Sequence, residues 1–308
     1  MCGIGGIYSY GAQVDSGALS VLWSEMAERG EHACGFAVKW SNDDDLQVVK
    51  QQGSSLDNLH QLGNFCASPA TQFVMLHTRF TTQGSAENNG NNHPVLGHGM
   101  VVTHNGVLYN DDKIFKSLGV QRKHDVDTEA IHVALRRKSP KYTIENIQGS
   151  MSIAWVDLYN TDIVHLMTNG DNPLVIARLT DNSVVWASCL HMIENAYGSE
   201  VKNHFNAMPF KQYTLKPDGK IRSKYISKRR AVPYFGWQYG RYLNASNSSD
   251  SKGSVVGGGQ KARKDRQNGS ISVNMALAGP DPAGDWDEEY EGWAYSDKRG
   301  WFYVGDVK

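Results

Sequence analysis

Between residues 1 and 228 the chain repeatedly alternates short apolar runs with turn signals, and this pattern limits the fold more than any other feature. Met1–Tyr8, Phe73–Thr78, Met100–His104, Ser152–Leu158, Ile163–Met167, Leu174–Arg178 and Val184–Ala187 are short and mostly rich in β-branched residues, as strands are. Helical spacing is confined to a few places. Leu19, Leu22, Trp23 and Met26 recur on one face, and Gly30 stops that helix. Ile131, Ala134 and Leu135 define a second helix beginning after Asp127. Lys216-Pro217-Asp218-Gly219 is a hairpin turn. Many strands with few helices predict stacked antiparallel sheets flanked by helices.

The composition changes after this region. Residues 244–270 are rich in Ser, Gly and Asn and carry a basic cluster, the composition of a flexible linker. The segment from Asp285 to Asp306 is acidic and aromatic. In it Trp293, Tyr295, Trp301 and Tyr303 flank a Ser-Asp-Lys-Arg-Gly turn, which predicts one small hairpin seeking a surface. The expected organisation is a folded domain over 1–228, a linker over 229–270, and an aromatic, acidic segment over 271–308 that docks a partner or packs on the domain.

At 308 residues with 40% hydrophobic and 20% charged residues, the chain can bury a sizeable core. A net charge of -1 gives no reason to expect nucleic acid as a partner. The N-terminus has no basic and apolar leader pattern, and no apolar run reaches membrane-span length, so no membrane role and a reduced cytoplasmic setting are expected. The cysteines Cys2, Cys34, Cys66 and Cys189 form no C-x-x-C pair, so neither a zinc site nor a thioredoxin-like site is suggested, and no cofactor is expected.

Chemistry-bearing residues fall at strand ends. Removal of Met1 would leave Cys2 with a thiol and a free α-amine, nucleophile and base in one residue; taken alone, Cys2 reads rather as a small hydrophobe on a first strand. Gly3-Ile4-Gly5-Gly6 behind it permits close backbone approach. In His77-Thr78-Arg79-Phe80-Thr81-Thr82, Arg79 suits a bidentate grip on a carboxylate, or is an ordinary surface arginine. His93, after an asparagine-rich loop, reads as structural. Asn105 and Gly106 offer a side-chain and a backbone N–H for an oxyanion; in isolation Asn-Gly reads as a type I′ turn. Asp127 is a helix cap by position, or a carboxylate for an ammonium group.

Together and in this order, MCGIGG, HTRFTTQG, NNHP, THNGVLYN and DVDTEAI resemble the class II glutamine amidotransferases, which are N-terminal nucleophile hydrolases. Arg29-Gly30 followed by Ala33-Cys34-Gly35-Phe36-Ala37, and Asn172-Pro173-Leu174-Val175-Ile176, extend the resemblance over residues 1–228. It implies an α+β fold, a four-layer αββα sandwich. It implies Cys2 as nucleophile on L-glutamine, with Asn105 and Gly106 at the oxyanion. Arg79 would read the α-carboxylate and Asp127 the α-ammonium, while Phe80 and Thr82 line the pocket. No metal is called for. The chain departs from the family at Gln83, where the sugar branch has histidine, at Phe80, where Trp or Tyr stands, and at Cys34, a usually small position read here as core. The remaining tail is too short for a synthase domain, so the ammonia acceptor is expected to be a separate protein. Competing readings are a non-catalytic binding or regulatory module on the same fold, and an N-terminal cysteine hydrolase of another amide.

Overall fold

The computed structural model describes residues 1–227, together with the backbone of two short strands, 293–296 and 300–303. Two antiparallel sheets form the body. The first has seven strands: β1 (Gly3–Tyr8), β2 (Ala33–Trp40), β3 (Leu46–Gln52), β4 (Thr71–Arg79), β9 (Val175–Leu179), β10 (Val184–Ala187) and β11 (Val201–Asn206), in the order β11-β9-β10-β1-β4-β2-β3. The second has six: β5 (Val95–Gly97), β6 (Met100–Leu108), β7 (Gly149–Asp157), β8 (Asn160–Thr168), β12 (Lys211–Leu215) and β13 (Ile221–Tyr225), in the order β13-β12-β8-β7-β6-β5.

Side-chain alternation along the strands separates three apolar layers. On β4, Val74 and Leu76 face one way and pack with Leu19, Leu22 and Trp23 of α1 (Ser16–Glu25), Leu62 of α2 (Leu59–Cys66) and Met192 and Ile193 of α6 (Leu190–Tyr197). Phe73 and Met75 face the other way, into a layer shared with Ile4, Val101, Ala154 and Trp186 between the sheets. Met100 and Val102 of β6 look outward to Ile131 and Ala134 of α4 (Thr128–Arg137), Ile114 and Phe115 of α3 (Asp111–Leu118) and Ile144 of α5 (Pro140–Asn146). The order helix, sheet, sheet, helix is the αββα sandwich.

All seven expected strands are present, several of them longer than their apolar runs. Lys216–Gly219 joins β12 to β13 as the anticipated hairpin turn. Asn105-Gly106 is no turn: both residues lie inside β6, paired with Ser152 and Met151 of β7. Gly106 sits at φ 157°, and a Cβ there would come 1.9 Å from the carbonyl oxygen of Ser150, so the glycine serves close strand packing. Trp293–Ser296 and Gly300–Tyr303 pair antiparallel, with Trp293 opposite Tyr303. The linker expected over 229–270 lies outside the described residues.

Candidate active site

The layer between the sheets is apolar at its middle and polar at one end. Following β4 past Phe73 and Met75, the same face presents His77 and then Arg79. Along β1, Cys2 has the parity of Ile4 and Tyr8. On β6, Asn105 has the parity of Val101. Strand register thus carries three of the sequence-predicted residues to one end of the sandwich.

Cys2 is 9% exposed, and its Sγ lies 3.6 Å from the Phe80 carbonyl oxygen. Burial pushes the thiol above its usual range; Asp127 pushes the same way, and Arg79 and the terminal amine oppose it. A nucleophile placed so needs a nearby base or a local positive charge. The Arg29 Nε donates to the Cys2 carbonyl at 2.8 Å, so this buried arginine fixes the backbone of the residue. Two of the other thiols are less suited: burial pushes Cys34 up to about 11 and Cys66 up to about 12. Cys34 packs in the core beneath α1 and α2, as expected.

Arg79 is 2% exposed, which rules out the ordinary surface arginine. Its Nη1 donates to Asn92 Oδ1 at 2.7 Å, and its Nη2 donates to the carbonyls of Gln83 and, at 2.9 Å, Gly84. The guanidinium therefore faces a shell of acceptor oxygens formed by the loop that follows β4. Phe80 and Thr82, at the start of that loop, are exposed, Phe80 by 47%.

Asn105 is buried and its carbonyl accepts from Asn172 Nδ2 at 3.0 Å, yet its own Nδ2 has no hydrogen-bond partner. Buried side-chain donors are rarely left so, and one aimed into a site is a candidate donor to a bound molecule. Asp127 precedes α4 but makes no capping bond; its Oδ2 accepts instead from the Leu108 amide of β6 at 2.7 Å. It is 3% exposed and lies close enough to act on the Cys2 thiol. Cys2, Arg79, Phe80 and Asp127 are thus brought together, with Asn105 on the facing sheet. Thr82 lies at the exposed rim, and Gly106 continues β6 past Asn105.

Behind them runs a second set of polar residues. Thr128 Oγ1 lies 2.8 Å from His93 Nε2 and 3.0 Å from His104 Nδ1, and His77 stacks on His93 at 4.1 Å. His77 Nε2 donates to the His104 carbonyl at 3.0 Å, which fixes its tautomer. Burial holds all three imidazoles low, His77 at about 3, so the cluster is neutral. The structural reading of His93 holds. Arg29, Asn92, Asn172 and Thr128 have no individual role in the sequence reading, but all four lie inside motifs that carry the resemblance, and the motif itself is their signal.

A family model described as a glutamine amidotransferase domain matches residues 77–195. The 7-cyano-7-deazaguanine synthase of Saccharolobus solfataricus is 26% identical over 155 residues, 48% of this chain and 29% of that protein. The isomerizing glutamine–fructose-6-phosphate aminotransferase of Streptococcus mutans is 27% identical over 205 residues, 63% of this chain and 33% of that protein. The chain thus spans about a third of the length of these curated relatives. The fold is shared with the glutamine phosphoribosylpyrophosphate amidotransferase of B. subtilis, with a TM-score of 0.61 and 18% identity over 74% of this chain and 50% of that one. An enzyme described as the allosteric regulatory enzyme of purine biosynthesis gives a TM-score of 0.62 at 18% identity, over 74% of this chain and 50% of that one. By its family match over residues 77–195, its relatives and its four-layer fold, the chain is similar to the glutamine amidotransferases.

Proposed function

We propose that this domain hydrolyses L-glutamine to glutamate and ammonia through a thioester on Cys2. Loss of Met1 frees the α-amine of Cys2, which titrates near neutrality and takes the thiol proton. The Sγ then attacks the side-chain amide carbon. The developing oxyanion is held by Asn105 Nδ2 and the Gly106 amide, donors fixed before the reaction begins. The amine returns its proton to the leaving nitrogen, ammonia departs, and water cleaves the thioester through a second oxyanion. Arg79 reads the α-carboxylate, which would take the place of one of its carbonyl acceptors, and Asp127 reads the α-ammonium. Phe80 and Thr82 flank the side chain of the substrate.

The observation that carries this reading is the unpartnered Asn105 Nδ2, buried on the sheet facing Cys2. The residues in each role are chemically competent, which favours turnover over a silent binding module. Arg79 and Asp127 together suit a free amino acid better than another amide. The ammonia acceptor in this reading is a separate synthase protein, in a reduced compartment where the four thiols stay free. No helix among the described residues is long and apolar enough to cross a membrane.

Purified protein incubated with glutamine tests the reading. Equal amounts of ammonia and glutamate are expected from the wild type and none above background from Cys2→Ala, with unchanged melting temperature. Binding of glutamine without turnover in the wild type would favour the regulatory module. Undiminished hydrolysis in Cys2→Ala would remove Cys2 from the chemistry.

A further inference from the structure

The wall beside the nucleophile leaves the sheet at Arg79. There β4 ends, and the last pair it makes with β2 is Arg79 opposite Ala33. Phe80 and Thr81 lie beyond the ladder, yet Phe80 supplies the carbonyl that meets Cys2 Sγ. Something other than strand pairing must hold them.

Three contacts from His32, the residue just before β2, meet three successive residues of this segment. Its backbone N–H donates to the Arg79 carbonyl at 3.0 Å. Its ring lies over Phe80, with centroids 4.8 Å apart and planes tilted by 31°. Its Nδ1 accepts the Thr81 backbone N–H at 2.9 Å. A backbone amide can only donate, so Nδ1 is bare and the ring proton sits on Nε2. The imidazole thus supplies the acceptor that a neighbouring strand would have supplied one step further on. The close packing of this seam is visible at Gly30, where a Cβ would come 2.4 Å from the Phe80 nitrogen. His32 itself is anchored, since its carbonyl accepts from the Gly53 amide at 3.1 Å.

We infer that His32 is a positioning residue: it fixes Phe80 and Thr81 so that the Phe80 carbonyl meets the Cys2 thiol and the Phe80 ring forms one lip of the glutamine pocket. This rests on the proposed function, and it assigns a role to an exposed side chain that no part of the mechanism uses. With the segment already ordered, glutamine need not order it on binding. Loss of the anchor falls on substrate capture more than on the chemical step.

The test compares His32→Ala, His32→Phe and His32→Asn in the full chain. Asparagine keeps an acceptor near the position of Nδ1; phenylalanine keeps the ring and loses the acceptor. In His32→Ala and His32→Phe the KM for glutamine should rise about tenfold, the loss expected for one well-placed hydrogen bond, with kcat changed by less than about threefold. His32→Asn should recover most of the loss. Hydrogen exchange at the Thr81 amide should quicken in the first two variants and stay slow in the third. His32 is exposed, so all three should melt near the wild-type temperature. Wild-type KM in His32→Ala, or His32→Asn as impaired as His32→Ala, would overturn the assignment. A wild type without glutaminase activity would overturn the proposed function separately, and Thr81 exchange would then decide the anchor: unchanged exchange in His32→Ala refutes it.

Discussion

The layer between the two sheets has two stretches of opposite character, built on the same strands with the same alternation. In one stretch β4 contributes Phe73 and Met75, which meet Ile4, Val101, Ala154 and Trp186. A few residues further on it contributes His77 and Arg79, which meet His93, His104 and the oxygens of the loop that follows. The first stretch is what a sandwich needs to stay folded. The second is costly to bury, since each polar group must find a partner or remain unsatisfied. A sheet end filled with arginine, aspartate, three imidazoles and an unpartnered amide is built for something other than stability. Two of the thiols repeat the contrast: Cys66 is pushed far up by burial alone, whereas Cys2 has a guanidinium and an amine opposing the same effect.

The sharpest way to break this comparison is to remove the unpartnered donor. Asn105→Ala should lower kcat about 10²–10³-fold while the melting temperature holds, because the amide satisfies nothing in the resting protein. Activity within threefold of wild type would return Asn105 to the structural stretch. Arg79→Ala should cost about 1.5–3 kcal/mol in kcat/KM, mostly through KM, as expected for a lost charged hydrogen bond. Steady-state kinetics over glutamine concentration checks this, and an unchanged KM would mean that Arg79 serves the loop alone.

Much of this arrangement could be read from sequence. The β4 and β6 strands announce themselves as apolar runs that end in polar motifs, and alternation assigns their faces. Strands β2 and β3 were not picked out, because Ala33–Trp40 is weak in β-branched residues and Leu46–Gln52 is mostly polar. The β11 edge, Val201–Asn206, alternates exposed polar residues and hides for the same reason. The Asn-Gly turn expected in isolation was overridden by pairing with β7 on both residues. Asp127 sits where a cap belongs, but its carboxylate is drawn to the Leu108 amide, 19 residues away. Arg29, His32 and Asn172 act on partners 27, 49 and 67 residues distant, and no local pattern encodes such contacts.

Desolvated imidazoles, at the polar end and elsewhere, should also make the fold sensitive to acid. His77, His132 and His165 are held at about 3, 4 and 4 by burial, against an ordinary value of about 6.5. The unfolded chain therefore binds their protons at higher pH than the folded one. The stability they permit is fully present above about pH 6.5 and is lost as pH falls from there towards 4. Between pH 7.5 and 5.5 each group should cost about 1.4 kcal/mol, roughly 4 kcal/mol for the three. Urea unfolding at the two pH values measures this sum together with the contributions of His93 and His104, which burial also holds low, and His132→Gln should remove about 1.4 kcal/mol of it. A stability independent of pH in this range would mean that these imidazoles are not buried neutral.

The central claim is that Cys2, as the first residue of the mature chain, is the nucleophile of the polar end. Intact-mass and peptide mapping after incubation with an electrophilic diazoketone analogue of glutamine tests it most directly. The account predicts one adduct per chain, on the Cys2 thiol of a peptide lacking Met1, with ammonia release lost in step and Cys34, Cys66 and Cys189 unlabelled. An adduct on another residue, or full activity in protein that retains Met1, would contradict it.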